Sequence, residues 1–225
     1  MNSRKAIAID GPAASGKTAV GIELARRLDY RFLDTGGMYR AVTLLALEAG
    51  IDVKDQAALT ELSQRSRMEL IGGPSENRLV VDGRDVTSAL RTQKVDSNVS
   101  RVSAVRGVRL ALVEQQRKVA EQGPIVMVGR DIGTVVLPDA KVKVYLNASV
   151  EVRARRRVRE MNASNRDASY GGVLEALQLR DSIDSERQES PLRPAEEAYI
   201  IDTDDMSVNE IADKVLRHFR PEQWS

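Results

Sequence analysis

Gly11, Pro12, Ala13, Ala14, Ser15, Gly16, Lys17 and Thr18 spell G-x-x-x-x-G-K-[ST], directly after the apolar run Ala6-Ile7-Ala8-Ile9. This pattern lets a backbone curl until successive N–H groups point at one anion. The helix that follows adds its own unpaired N-terminal donors. Lys17 is placed to reach the β- and γ-phosphates of a nucleoside triphosphate, with the Thr18 hydroxyl on Mg²⁺. Chance yields such a match about once in a hundred chains of this length. A strand before it and a helix after it lower those odds further.

Ligands of open α/β sheets sit beyond the carboxyl ends of the strands, so polar residues just after a strand are the next candidates. Asp34, Thr35 and Arg40 follow an expected strand at 30–33, and Gly129-Arg130-Asp131 follow the most apolar run, 125–128. A charged pair leaving a buried strand end is poorly explained by solubility, although a structural ion pair competes as a reading. Arg180, Asp184 and Arg187 are spaced i, i+4, i+7, within about 60° of one helix face. Alone they would read as a surface salt-bridge ladder. Beside a phosphate loop they supply the positive charge that a transferring phosphoryl group requires. Arg153, Arg155, Arg156, Arg157 and Arg159 form the densest basic run, which suits a solvated face, a nucleic-acid patch or a lid over the triphosphate. They spread over more than one helix face, which leaves one or two functional; Arg157 is the one expected at the triphosphate. No Asn-Lys-x-Asp stretch for guanine selection occurs.

The elements that must position these groups follow from periodicity. Strands are expected at 5–9, 30–33, 125–128, 142–146 and 199–201, and helices at 17–28, 38–49, 56–65, 100–121, 150–161 and 171–187. Ser207 and Glu210 form a capping box before a last helix. Between 66 and 96 the texture changes to hairpin strands at 68–71 and 78–81 around the turn residues Gly72–Asn77, then a short strand near 84–86. The polar loop 162–170, followed by Gly171-Gly172, is suited to hinging. Alternating β and α segments imply a mostly parallel sheet with helices on both faces and an antiparallel insertion.

Composition sets the class. The 225 residues suffice for one α/β domain, and the net charge of +1 gives no global field toward nucleic acid or membrane. Aromatic residues are 4%, too few and too scattered for a base-stacking platform. Cysteine is absent, and no apolar run approaches the ~18 residues of a spanning helix; a cytoplasmic location is expected. The single histidine, His218, reads as a packing or surface residue.

The stretches I-A-I-D-G-P-A-A-S-G-K-T (7–18), L-D-T-G-G-M-Y-R (33–40), L-V-V-D-G-R-D-V-T (79–87), L-R-T-Q-K-V (90–95), V-G-R-D-I-G-T-V-V-L-P-D-A (128–140) and R-D-S-I-D-S-E-R-Q-E-S-P-L (180–192) occur in that order. Together they resemble the bacterial-type cytidylate (CMP/dCMP) kinases, a family of P-loop nucleoside monophosphate kinases. The resemblance implies an α/β three-layer P-loop kinase fold, a five-stranded parallel sheet with helices on both faces plus a small antiparallel β insertion. It implies a core at 1–65 and 97–225, an inserted monophosphate-binding subdomain at 66–96 and a lid segment at 153–170. The implied reaction moves the γ-phosphate of ATP to CMP or dCMP with Mg²⁺. By position, Thr35, Arg40, Arg130 and Arg187 would hold the acceptor phosphate, and Ser100, Arg109 and Asp131 would read cytosine. Arg180 and Asp184 would meet the ribose or the phosphates, and Lys17, Arg130, Arg180 and Arg187 would carry the charge of transfer. A monomer acting on small molecules, without nucleic acid or membrane, is implied as well. Thr35 stands where many relatives have Ser, and Ala19 where a second hydroxyl is common. The rival readings are a P-loop kinase of another small acceptor (UMP, AMP or shikimate) and a non-catalytic ATP-binding switch.

Overall fold

Five short apolar segments line up in parallel: β1 (Ala6–Asp10), β2 (Arg31–Asp34), β6 (Ile125–Val128), β7 (Val142–Asn147) and β8 (Tyr199–Asp202), in the order β2-β6-β1-β7-β8. The computed structural model describes residues 5–74, 77–163 and 166–219. Ser75 and Glu76 of the expected hairpin turn, and Ser164 and Asn165 of the expected lid loop, lie outside the described residues. Alternation along the strands divides the core. Ile7, Ile9, Val126 and Val128 pack on one face beneath Val20 and Leu24 of α1 (Lys17–Leu28) and Ile211 and Val215 of α8 (Val208–His218). Ala6, Ala8, Ile125 and Met127 pack on the other, beneath Val42 of α2 (Thr35–Glu48) and Leu112 of α5 (Arg106–Glu121). A strand covered on both faces is apolar throughout, which is why 125–128 reads as a continuous run.

The parallel register sets the strand ends side by side. Ile9 pairs with Val128, Asp34 with Val128, and Asp10 with Tyr145. The chain leaves β1 for β2 at one edge and later returns to the other side of β1 with β7, so the strand order reverses at β1. A crevice opens beyond the carboxyl ends at such a point. β3 (Met68–Ile71), β4 (Arg78–Val81) and β5 (Arg84–Asp85) form a separate antiparallel three-stranded sheet. It leads through a 3-10 turn at Thr87–Arg91 into α4 (Gln93–Ala104).

Three helix boundaries differ from expectation. The helix expected at 100–121 begins at Gln93, capped by the Thr92 hydroxyl, which accepts the Val95 N–H at 3.3 Å, and it is two helices, α4 and α5, broken at Val105, whose ψ of 119° is extended. The bend seats α5 on α3 (Gln56–Arg65): a Cβ on Gly107 would lie 2.1 Å from Thr60 Oγ1, so the Thr60 side chain packs directly on the α5 backbone just past the break. α2 begins at Thr35 rather than Met38, because the Asp34 carboxylate accepts the Gly36 N–H at 3.0 Å and caps the helix there. The capping box at Ser207 and Glu210 is present. His218 stacks on Tyr199 at a ring separation of 3.6 Å, a packing residue.

α6 (Val150–Ala163) and α7 (Tyr170–Glu186) pack on each other above the loop 11–16. Their fully buried apolar contact with the loop is small, Ala13, Ala154 and Leu177. A few kcal/mol of burial holds this pair, against roughly 1.5–3 kcal/mol for each core Ile or Leu elsewhere.

Candidate active site

The loop after β1 is held in conformations that L side chains rarely adopt: Gly11 at φ +147°, Ala14 at +60° and Gly16 at +95°. At Gly11 a Cβ would stand 2.2 Å from the Leu146 carbonyl oxygen, so only glycine fits against β7. No side chain caps α1 at Gly16, which leaves its first N–H groups directed into the loop as anion donors. Lys17 is buried there, and its Nζ donates to the Pro12 carbonyl at 2.5 Å. Burial, followed by the nearby Arg130, pushes its pKa well below the ordinary value. An anion entering the loop would relieve that strain. Thr18 Oγ1 donates to Asp34 Oδ2 at 2.9 Å.

Asp10, the last residue of β1, faces the opposite wall. Its carboxylate accepts the N–H of Ile132 at 2.7 Å and of Gly133 at 2.8 Å. These two open a single π-helical turn, Ile132–Val136, right after Arg130 and Asp131. Burial pushes the Asp10 carboxyl up to about 6, although the two N–H bonds pull it down. Thr35 Oγ1 donates to the Val128 carbonyl at 3.0 Å. The loop after β6 is therefore pinned from both neighbouring strands, and Arg130 and Asp131 leave it in fixed directions.

Asp131 is ion-paired to Arg109, both side chains 5% exposed. The Arg109 guanidinium also donates to the Ser103 carbonyl at 3.2 Å and lies over the Tyr39 ring at 5.4 Å. Asp184 gathers the next three arginines. Arg130 Nε donates to it at 2.9 Å, with Arg187 at 3.7 Å and Arg180 at 3.9 Å. Arg187 lies just past α7, in extended backbone. Burial would raise the Asp184 carboxyl, but Arg130 and Arg180 outweigh it and hold it low. Burial, then Arg130, lowers Arg180 to about 10. Buried donors at Arg109 Nε, Arg180 Nε and Arg187 Nη2 have no protein acceptor. An unmatched buried guanidinium N–H is costly. The three side chains belong to the lining of one cleft, whose crowd of guanidinium groups suits an anionic, oxygen-rich ligand.

The cleft holds about 480 Å³, the size of a small-ligand site. It is lined by Lys17 and eight arginines against Asp34, Asp131, Glu160 and Asp184. It brings together Ala13, Ala14, Gly16, Lys17 and Thr18 with Thr35, Arg40, Arg109, Arg130, Asp131, Arg157, Arg180, Asp184 and Arg187. Gly11, Pro12 and Ser15 stand behind them as framework; Pro12 holds Lys17, and the Ser15 carbonyl accepts Thr203 Oγ1 at 3.3 Å. Ser100 is not in the lining. Its carbonyl accepts Ser103 Oγ at 2.9 Å, and Ser103, one turn on, lines the cleft instead.

The basic run of α6 sorts by partner. Arg153 is buried and structural, bonded to Asp181 at 2.6 Å and to the Ala13 carbonyl at 3.2 Å. Arg155 and Arg159 are exposed. Arg156 and Arg157 line the cleft; Arg156 bonds Thr203, and Arg157 bonds Glu160 at 2.9 Å and Asp96 at 3.1 Å. Sequence reasoning gives Asp10, Tyr39 and Ser103 no place in the site and gives Asp34 no role. Asp10 and Asp34 are both last residues of strands, which the strand-end rule could have caught. Ser103 carried no local signal.

Comparison with known proteins agrees with this geometry. The family model described as cytidylate kinase matches residues 7–221. A cytidylate kinase of Bacillus velezensis is 46% identical over 96% of this chain and 96% of its own. Those of Bacillus subtilis (46%, 96% of each chain) and Exiguobacterium sibiricum (49%, 91% of this chain and 92% of its own) are similarly close.

Proposed function

The chain belongs to the cytidylate kinase family, and from that premise we propose how its cleft carries out the family's reaction. The protein is a nucleoside monophosphate kinase that phosphorylates CMP and dCMP with ATP as donor. The other acceptors and the ATP-binding switch left open by the sequence are not favoured.

The loop at 11–18 holds the donor triphosphate through its backbone N–H groups and Lys17, with Arg157 closing from the lid side. The acceptor phosphate lies against Arg40, Arg130 and Arg187 near Thr35, and the ribose near Arg180 and Asp184. Cytosine offers a 4-amino donor and N3/O2 acceptors. The Asp131 carboxylate accepts from the amino group, and Arg109 donates to the ring. The observation that carries this reading is the convergence of Lys17, Arg40, Arg130, Arg180 and Arg187 on one cleft beside the Arg109–Asp131 pair.

An oxygen of the CMP phosphate forms the new bond to the γ-phosphorus as the bond to the bridging β–γ oxygen breaks. ADP leaves with that electron pair, and CDP forms. The acceptor oxygen is already anionic, so no side-chain base is required. Positioning and charge stabilisation supply the catalysis, from Lys17, Arg130, Arg180 and Arg187. Hard oxygen donors at Thr18 and Asp34, in contact at the cleft floor, fit a Mg²⁺ bound mainly through phosphates and water. When bound there, Mg²⁺ would neutralise charge on the β- and γ-oxygens.

Residues 66–96 act as the acceptor-binding subdomain, and 153–170 as a lid that excludes water. No described helix is long and apolar enough to cross a membrane. The enzyme works in the cytoplasm as a monomer on small nucleotides; the net charge of +1 gives it no global field toward nucleic acid or membrane. A coupled ADP-release assay with CMP, dCMP, UMP, AMP and shikimate tests the reading. Turnover is expected with CMP and dCMP; turnover with AMP but neither cytidine nucleotide would overturn it.

A further inference from the structure

One carboxylate outside the motifs holds three arginines. Asp96, in the first turn of α4, accepts Arg40 Nη1 of α2 at 2.5 Å, Arg157 Nη2 of α6 at 3.1 Å and Arg166 Nη1 at 3.2 Å. All four side chains are at most a quarter exposed. Burial alone would raise the Asp96 carboxyl, but Arg40 and Arg157 outweigh it and keep it ionised. Around it, Arg91 pairs with Glu160 at 2.7 Å, and Arg166 also bonds the Arg91 carbonyl at 3.0 Å. Glu160 also accepts Arg157 at 2.9 Å, so two carboxylates, Asp96 and Glu160, stand among four guanidinium groups, Arg40, Arg91, Arg157 and Arg166.

The bonding of Arg40 says what this arrangement does. Both its bonds, to Asp96 and to the Leu90 carbonyl at 3.2 Å, leave from the same nitrogen, Nη1. Its Nε and Nη2 have no partner among the described residues, and Arg40 lines the cleft. A guanidinium clamped at one corner presents its other edge as a preset fork, the geometry that binds a phosphate through two parallel bonds. Arg157 and Arg166 keep the clamp from swinging away. We propose that Asp96 is a positioning residue for phosphoryl transfer: it fixes the Arg40 guanidinium so that its free edge meets the acceptor phosphate.

The proposal rests on the reading of Arg40 as an acceptor-phosphate residue, and a double-mutant cycle separates the two. The Michaelis constant for CMP and kcat are measured at saturating ATP for the wild type, Asp96→Asn, Arg40→Ala and the double variant. A lost charge-assisted bond and a loosened fork predict a rise in KM of about tenfold for Asp96→Asn, with kcat within about twofold. Asp96→Ser, which removes the same anion, should behave alike. Arg40→Ala should raise KM further, and the double variant should be no worse than Arg40→Ala, because at saturating ATP, where the Arg157 contact with the donor is filled, Asp96 reaches the CMP site only through Arg40. If Arg40→Ala raises KM and Asp96→Asn does not, Asp96 has no positioning role and the Arg40 reading stands. Additive effects, or a lower KM in Asp96→Asn, would likewise overturn the proposal. If Arg40→Ala leaves KM unchanged, the reading of Arg40 fails and the proposal with it.

Discussion

Asp10 joins the two halves of the cleft: it precedes the donor loop, and its carboxylate holds the N–H groups that begin the acceptor loop's π turn. Its charge has a measurable cost. The unfolded chain releases this proton near the ordinary 3.8, whereas the folded protein keeps it to about 6. Between those values the folded state binds more protons, so this group's contribution to stability falls as pH rises. The gap amounts to up to about 3 kcal/mol. Urea denaturation of the wild type and Asp10→Asn, from about pH 3.5 to 6.5, should show the wild type losing stability relative to the variant. A difference that stays flat would mean the Asp10 carboxyl is not raised. Lys17 is strained in the same sense, a buried ammonium awaiting an anion. Its replacement, Lys17→Ala, should lower kcat by about a thousandfold, the scale of losing a donor aimed at transition-state charge. A residual rate above a tenth of wild type would assign the transfer charge elsewhere.

At the scale of elements, the donor loop was readable because its signal is local: glycines, lysine and threonine at fixed offsets, bracketed by a strand and a helix. The five strands were readable for the same reason, as runs of apolar residues between turns. The break at Val105 was not, because the apolar face of 102–119 continues across it and the cause is a contact with α3 distant in the chain. That contact can be tested directly. Gly107→Ala would drive a methyl to 2.1 Å from Thr60 Oγ1, so overpacking should cost about 1–3 kcal/mol of unfolding free energy. Gly107 itself is not in the cleft lining, but Arg109 two residues on is, so a displaced α5 should also lower kcat/KM for CMP. Undiminished stability would show that α3 and α5 can separate there without loss. The arginines of α6 were equally illegible one by one. Which of them is framework, solvent-facing or functional depends on Asp181, Thr203 and Asp96, none of them near α6 in sequence. Ser100 against Ser103 turned on how α4 is rotated, and sequence periodicity does not fix that to a single residue.

For the whole molecule, charge is distributed unevenly: a net +1 over 225 residues, yet Lys17 and eight arginines in one cleft. Such a cleft concentrates anionic substrates, and added salt screens it. The kcat/KM for CMP should fall several-fold between about 20 and 200 mM KCl, and a flat profile would remove long-range attraction from the account. Charge alone, however, serves any nucleotide. On the reading proposed above, base choice rests on the buried Arg109–Asp131 pair in the cleft lining, where a carboxylate can accept from a 4-amino group and is repelled by the carbonyl that uracil carries there. The most direct measurement is the ratio of kcat/KM for CMP over UMP in the wild type and in Asp131→Asn, with KM for ATP followed in parallel. The ratio should fall by about tenfold or more in the variant while KM for ATP stays within about twofold; an unchanged ratio would contradict the assignment of Asp131 as the residue that reads cytosine.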